Sequence, residues 1–238
     1  MRMVQKFGGT SLAEPRLLRR AAAIAAQAAQ NGQVAVVVSA QGDTTDRLIA
    51  QAAEVSPSPA ARELDTLLSA GEQMSAALLA MTLAERGTAA RSRVGGQAGI
   101  HTDGGFGGAR ITDIDPSRVL AAMEGGVIPV VAGFQGVSAG EITTLGRGGS
   151  DTTAVALAIA LGADVCRIYT DVDGVYDRDP RRDPTARRYA RIGYGDMLAL
   201  ARSGAQVLHP RCVELARAHG LPLEVRSTFT DAPGTLVT

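Results

Sequence analysis

The run Val34-Ala35-Val36-Val37-Val38 constrains the fold more than any other stretch of the chain. Five apolar residues in a row, four of them β-branched, leave no polar face. That pattern predicts a strand buried on both sides of a parallel sheet. Before it, Glu14-Pro15 places a proline in the favoured first turn of a helix. The Ala-rich stretch 17–30 follows, and Asn31-Gly32 stops it. After it come a polar segment, 39–46, and a helix over 46–55. With an opening strand ahead of Gly8-Gly9, the order is strand, helix, strand, helix, the alternation of an α/β fold. Further on, the pattern predicts helices over 60–69 and 72–86, interrupted near Gly71, and a strand over 89–94. The Gly-rich stretch 95–108 reads as a loop or loose hairpin. A helix at 116–124, a buried strand at 127–132, a helix at 154–161 and a buried strand at 164–169 follow. Helices at 195–203 and 211–219 and a strand at 221–226 complete the reading. Ser56-Pro57-Ser58-Pro59 is too short to mark a boundary, and no repeat or second compositional regime occurs, so one domain is expected over 1–238.

The bulk properties remove several function classes. At 238 residues the chain is long enough for a substantial core. Its formal net charge is +0, which lacks the electrostatic footprint of a DNA- or RNA-binding protein. Aromatic residues make up only 3%, with no Trp, so stacking platforms for single-stranded nucleic acid are not expected. Cys166 and Cys212 form neither a disulfide framework nor a zinc pattern. No signal-peptide layout opens the chain and no apolar run reads as long enough to span a bilayer. A soluble cytoplasmic protein with no membrane or nucleic-acid partner is the expectation.

Among 24 Lys and Arg residues, Lys6 is the only lysine. A compact ammonium serves a phosphate oxygen as a point charge, whereas Arg favours a planar fork. Lys6 ends a short apolar stretch and precedes Gly8-Gly9-Thr10-Ser11. On its own this also fits a strand running into a turn. A second Gly-rich turn, Thr143-Thr144-Leu145-Gly146-Arg147-Gly148-Gly149-Ser150-Asp151, opens an Ala-rich helix. Unpaired N–H groups and the helix dipole make such a turn an anion site, and Arg147 adds a guanidinium fork. Acidic and hydroxyl residues follow the strand at 164–169, where ligands of open α/β sheets bind. No Walker A pattern, strand-linked G-x-G-x-x-G or G-x-S-x-G elbow is present. His101, His209 and His219 have no metal-ligand spacing. Two anion cradles, one Lys, one placed Arg and carboxylates at strand ends suit phosphoryl transfer, which depends on positioning and charge neutralisation.

Lys6-Phe7-Gly8-Gly9-Thr10-Ser11, Val38-Ser39-Ala40 with Thr44-Thr45-Asp46, and Gly71-Glu72-Gln73-Met74-Ser75 resemble aspartate kinase motifs. So do the segment 143–153, Tyr169 to Tyr176 with Asp179-Pro180-Arg181, Val207-Leu208-His209-Pro210-Arg211, and Pro233-Gly234-Thr235-Leu236. The resemblance covers nearly the whole chain in order. It implies the amino-acid kinase fold, an α/β architecture with a mostly parallel central sheet sandwiched between helical layers. The N-terminal part would take the substrate, and residues from about 140 to 238 the nucleotide. It implies ATP-dependent phosphorylation of the β-carboxylate of L-aspartate, with Mg²⁺ held through the ATP phosphates rather than by direct protein ligands. Such a carboxylate is already ionised at neutral pH, so no general base is required.

By the same resemblance, Lys6, Arg147 and Asp151 carry catalysis, with Lys6 neutralising the transferring phosphoryl group. Ser39, Thr45, Glu72, Arg147 and Ser150 hold the substrate, Glu72 taking its ammonium. Lys6, Gly8, Gly9, Ser11, Thr170, Asp171, Tyr176, Asp179, Arg181 and Gln206 serve the nucleotide. Two departures stand out. Gln206 occupies a position where the family usually has Lys, which removes one cation from the phosphates. The chain also lacks the ACT regulatory domains that usually follow, so no feedback inhibition within this polypeptide is expected, and a regulatory subunit would act in trans. A homodimer is expected from the family's habit. The alternatives are a kinase of the same fold acting on another small acid, and a catalytically weakened nucleotide-binding module.

Overall fold

The computed structural model describes residues 1–180, 183, 185–203 and 207–238. In chain order these form β1 (Arg2–Phe7), α1 (Pro15–Ala29), β2 (Gln33–Val38), α2 (Thr44–Val55), α3 (Ala61–Glu85) and β3 (Ala90–Arg93). Then come β4 (Ile100–Thr102), β5 (Ile111–Ile114), α4 (Ser117–Glu124), β6 (Ile128–Ala132), β7 (Gln135–Ser138), β8 (Glu141–Thr144) and α5 (Gly149–Ala160). The C-terminal part supplies β9 (Val165–Thr170), β10 (Arg191–Ile192), α6 (Tyr194–Arg202), α7 (Pro210–His219), β11 (Leu223–Ser227) and β12 (Thr235–Val237). Arg181 and Gln206 lie outside the described residues.

Eight strands form the main sheet in the order β10-β12-β11-β9-β1-β2-β6-β3, parallel throughout except for the β11–β12 pair. β1 is central: Lys6 stands beside Val37 of β2 on one side and Ile168 of β9 on the other. The apolar strands are covered on both faces, as the uninterrupted run at 34–38 requires. Met3, Phe7, Val34, Val36, Val38 and Val130 pack under α1 and α3. Val4, Ala35, Val37, Val131, Cys166 and Ile168 face the opposite layer, built from α4, α5, α6 and α7. The edge strand β3 exposes Arg91, and a charged edge discourages pairing with a second chain.

The structure corrects three expectations. The two helices expected around Gly71 are one 25-residue helix, α3. Gly71 is retained inside it because the helix crosses close to Ala40, where a Cβ at position 71 would sit 2.8 Å from the Ala40 Cβ. α3 is also long and apolar enough by composition to cross a membrane, contrary to the sequence reading. Its buried residues, Leu68, Ala76, Leu79 and Leu83 among them, pack into the protein interior as in a core helix. Finally, the Gly-rich stretch contains β4, and a second, four-stranded sheet of order β5-β4-β7-β8 lies beyond the main one. Its strands are three or four residues long and partly exposed, so they lack the apolar runs that reveal the main sheet.

Candidate active site

Parallel pairing brings the ends of β1, β2, β6 and β9 to one edge of the sheet, and the turns leaving them meet there. A hollow of about 310 Å³ at this edge is lined by Lys6, Gly9, Ser39, Ala40, Gly42, Thr45, Glu72, Phe134, Gly146 to Gly149, Ser150 and Asp151. The structure thus brings together every residue expected to hold substrate or carry catalysis, from four separate stretches of sequence.

Lys6 lies on the face of β1 that also carries Val4, toward α5, because side chains alternate along a strand. Its Nζ is 2.7 Å from Asp151 Oδ1. The contact is an ion pair without the alignment of a hydrogen bond. Asp151 sits in the first turn of α5, where the helix dipole favours a carboxylate. The helix starts at Gly149, five residues earlier than the Ala pattern indicates, and this places Ser150 and Asp151 on its first turn. Arg147 is exposed and has no ion-pair partner among the described residues.

Glu72 is 4% exposed on the inner face of α3. Its Oε1 accepts the Ala40 N–H at 3.0 Å, while Oε2 is buried without a partner. Burial pushes its carboxyl up to about 7, opposed by the Ala40 N–H and the positive charge of Lys6. An unpaired, dehydrated carboxylate oxygen favours a cation that brings its own donors.

The second anion turn is held from below by the C-terminal part. Gly148 has φ 72°, and a Cβ there would overlap the His209 ring. His209 caps α7, its Nδ1 accepting the Arg211 N–H at 3.3 Å, and Arg211 donates from Nη1 to the Leu145 carbonyl at 3.0 Å. The motif His209-Pro210-Arg211 is therefore the floor of the Gly146–Gly149 turn. Phe134, which sequence reasoning missed, lines the hollow with φ 68°, a rare conformation for a bulky residue. Its N–H donates to Thr153 Oγ1 and its carbonyl accepts from Leu145, tying the turn after β6 to both ends of the anion turn. Only its position between Gly133 and Gln135, just after a buried strand, could have marked it.

Of the residues expected to serve the nucleotide, Lys6 and Gly9 line the hollow, and the other described ones lie outside its lining. Gly8 donates its N–H to the Tyr169 carbonyl, and a Cβ there would stand 3.5 Å from Lys6 Nζ. Ser11 is fully buried, its Oγ bonded to the Tyr169 carbonyl and to Thr228 Oγ1, so it joins the ends of β1, β9 and β11. Thr170 ends β9 and Asp171 follows it, with Thr170 Oγ1 donating to Asp171. The Tyr176 hydroxyl donates to Asp173, and Asp179 accepts the Asp183 N–H at its carbonyl. Thr235 Oγ1 fastens this loop by accepting from Val175 N and donating to Tyr189 O. Among the described residues no group of three or more His, Cys, Asp or Glu is placed to hold a metal ion.

Two outcomes follow from this geometry. Between its ordinary value of 4.5 and about 7, folded Glu72 holds more protons than the unfolded chain does, so it lowers stability as pH rises through that window. Glu72→Gln therefore raises the melting temperature by a few degrees at pH 8, a gain that shrinks toward pH 5 in thermal melts. Gly148→Ala strains the left-handed turn and displaces His209, and we expect it to cost more than 1 kcal/mol, roughly, in chemical denaturation.

Comparison with known proteins agrees with this arrangement. The sequence profile of the amino acid kinase family matches residues 1–227. The chain is 53% identical over 238 residues to an aspartokinase of Mycobacterium tuberculosis, covering 99% of this chain and 56% of that protein. It therefore spans just over half the length of such curated relatives. Aspartate kinase from Synechocystis superposes with a TM-score of 0.90 at 49% identity, covering 100% of this chain and 40% of the other. Escherichia coli aspartokinase III in complex with aspartate and ADP gives 0.89 at 30% identity, covering 100% and 64%. In sequence and in the arrangement of its strands and helices, the chain belongs to the amino acid kinase family.

Proposed function

We propose that this chain transfers the γ-phosphoryl group of ATP to the β-carboxylate of L-aspartate. The observation that carries the reading is the charge pattern of the hollow. An unpaired buried Glu72 oxygen, a free Arg147 guanidinium and the Lys6 ammonium share one hollow, complementary to an ammonium and two carboxylates. Glu72 takes the substrate ammonium, Arg147 one carboxylate, and the other carboxylate lies toward Lys6. Ser39, Thr45 and Ser150 add hydroxyls. The relatives named aspartokinase, one of them in complex with aspartate and ADP, support this choice.

The acceptor carboxylate arrives ionised, so the chain supplies cations and N–H donors rather than a base. Lys6 neutralises charge on the transferring group, and the N-terminus of α5 presents backbone donors to it. Asp151 holds Lys6 in place at 2.7 Å. The site fits Mg²⁺ only as a companion of phosphates, since Asp151 and Glu72 are the only carboxylates of the hollow. When bound, Mg²⁺ would neutralise phosphate oxygens, with Asp151 the carboxylate nearest Lys6. Thr170, Asp171, Tyr176 and Asp179 would serve the nucleotide, while Arg181 and Gln206, expected to do so too, lie outside the described residues. We also propose a homodimer. Met74, Leu78 and Met81 are 54%, 37% and 65% exposed and make an apolar stripe along α3 at positions i, i+4 and i+7.

Hydroxylamine trapping with ATP, Mg²⁺ and a panel of acids tests the activity, with hydroxamate expected from L-aspartate alone. Hydroxamate from a different acid would place the chain among kinases of the same fold with another substrate. Nucleotide binding without turnover would sink the proposal. Lys6→Ala should lower kcat by about 10²- to 10³-fold, the loss typical of one transition-state donor, with unchanged circular dichroism. Near-normal turnover would remove Lys6 from its role. Met81→Glu should shift the sedimentation coefficient to that of a monomer, and an unshifted dimer would place the interface elsewhere.

A further inference from the structure

Asp65 is 1% exposed, yet it has no cation beside it among the described residues. Its carboxylate is instead surrounded by donors. The Gly107 N–H lies 3.0 Å from both oxygens, the Thr144 N–H is 2.8 Å from Oδ2, and Thr144 Oγ1 donates to Oδ1 at 2.7 Å. Charge-assisted bonds of this kind are short and strong, and a carboxylate fixed by backbone N–H groups holds those backbones in one place.

What Asp65 holds is the approach to Arg147. Thr144 is the last residue of β8, three positions before Arg147. The Thr144 carbonyl accepts from Ala109 at 2.8 Å, and Leu145 donates to Phe134 O at 2.8 Å. Gly146 then passes close to the Gly107 carbonyl, 3.3 Å from where its Cβ would stand. The loop carrying Gly107 and the strand leading to Arg147 thus both converge on one carboxylate of α3. The same helix carries Glu72, seven residues on, on the same face two turns away and about 10 Å along the axis. A rigid helix therefore bears Glu72 directly and, through Asp65, fixes the strand that delivers Arg147.

We infer that Asp65 is a positioning residue that sets the separation between Glu72 and Arg147, and with it the length of amino acid the hollow accepts. The inference rests on the proposed reading of this hollow as the amino-acid site. Asp65 does not line the hollow and touches no substrate. Its effect passes through Thr144 and Gly107. A purely structural role would lower stability and leave the two substrates equally affected. A positioning role affects the amino acid selectively, because the Gly8-Gly9 turn and the end of β9 are not attached to Asp65.

The test compares the intact wild-type chain with Asp65→Asn and Thr144→Val, with hydroxamate formation from L-aspartate and L-glutamate as readout. Asn keeps the shape but turns an amide NH₂ toward N–H donors, and Thr144→Val removes only the hydroxyl bond. Asp65→Asn should raise KM for aspartate by about tenfold while KM for ATP stays within roughly twofold, since small misplacements act strongly on the group they displace. The preference for aspartate over glutamate should narrow, and Thr144→Val should move both quantities the same way by less. If Asp65→Asn does not fold, Thr144→Val alone decides. Equal rises in both KM values, or lower melting temperatures with both KM values and the acid preference unchanged, would overturn the inference while leaving the proposed activity standing. A wild-type chain that phosphorylates no acid would remove both.

Discussion

The structure depends on β1 being paired on both sides in parallel, with β2 along one edge and β9 along the other. That constraint fixes two things at once. It buries Met3, Phe7 and Val4 between two helical layers, and it aligns the exits of β1, β2, β6 and β9 at one end. The turns at Gly8-Gly9, Ser39–Thr45 and Gly133-Phe134 have little structure of their own. They are neighbours because the strands beneath them are. The Phe7–Tyr169 stack, with ring centroids 4.8 Å apart, locks β1 to β9 just below these turns.

Inside the hollow, the charges are arranged for a guest. Lys6 and Asp151 neutralise each other at 2.7 Å, so the most buried cation is not left alone. Glu72 has no such partner on Oε2 among the described residues, and burial pushes its carboxyl up to about 7. Arg147 stays in solvent, where an unpaired guanidinium costs little. Charge compensation in the hollow is thus poorest at Glu72. A ligand ammonium there would fill the unmet need and draw the carboxyl back to its ionised form.

Much of this was legible in the residues. The apolar runs revealed the main sheet because burial on both faces leaves no alternation to misread. Lys6 and the turn from Gly146 to Asp151 stood out because ammonium, glycine and a helix start rarely fall together, and the structure sets them around one hollow. Glu72, Ser39 and Thr45 needed the family resemblance, since an isolated Glu on a helix carries no signal. What stayed hidden came from close approach between distant segments. Gly71 looked like a helix breaker because its neighbour Ala40 is thirty-one positions away. Phe134 and the small sheet were missed because their positions depend on tertiary contacts rather than on period. His209 showed only the absence of metal-ligand spacing, and its ring supports Gly148.

The placement of β1 also determines how the protein must come into being. Met3 and Val165 are register partners separated by more than 160 residues of sequence. At synthesis rates of about 5–20 residues per second, β1 leaves the ribosome roughly 10–30 s before its second neighbour. Through that interval β2 can cover one edge of β1, while the other presents a row of unpaired N–H and C=O groups. A shorter delay separates the Gly146–Gly149 turn from His209, which supports it. Folding of this chain is therefore governed by late closure: the N-terminal strands wait, edge exposed, and the end of the sheet that carries the hollow acquires its geometry only when nearly the whole polypeptide is available. A high share of such distant pairings also favours slow folding, and makes the half-synthesised chain a natural client for chaperones.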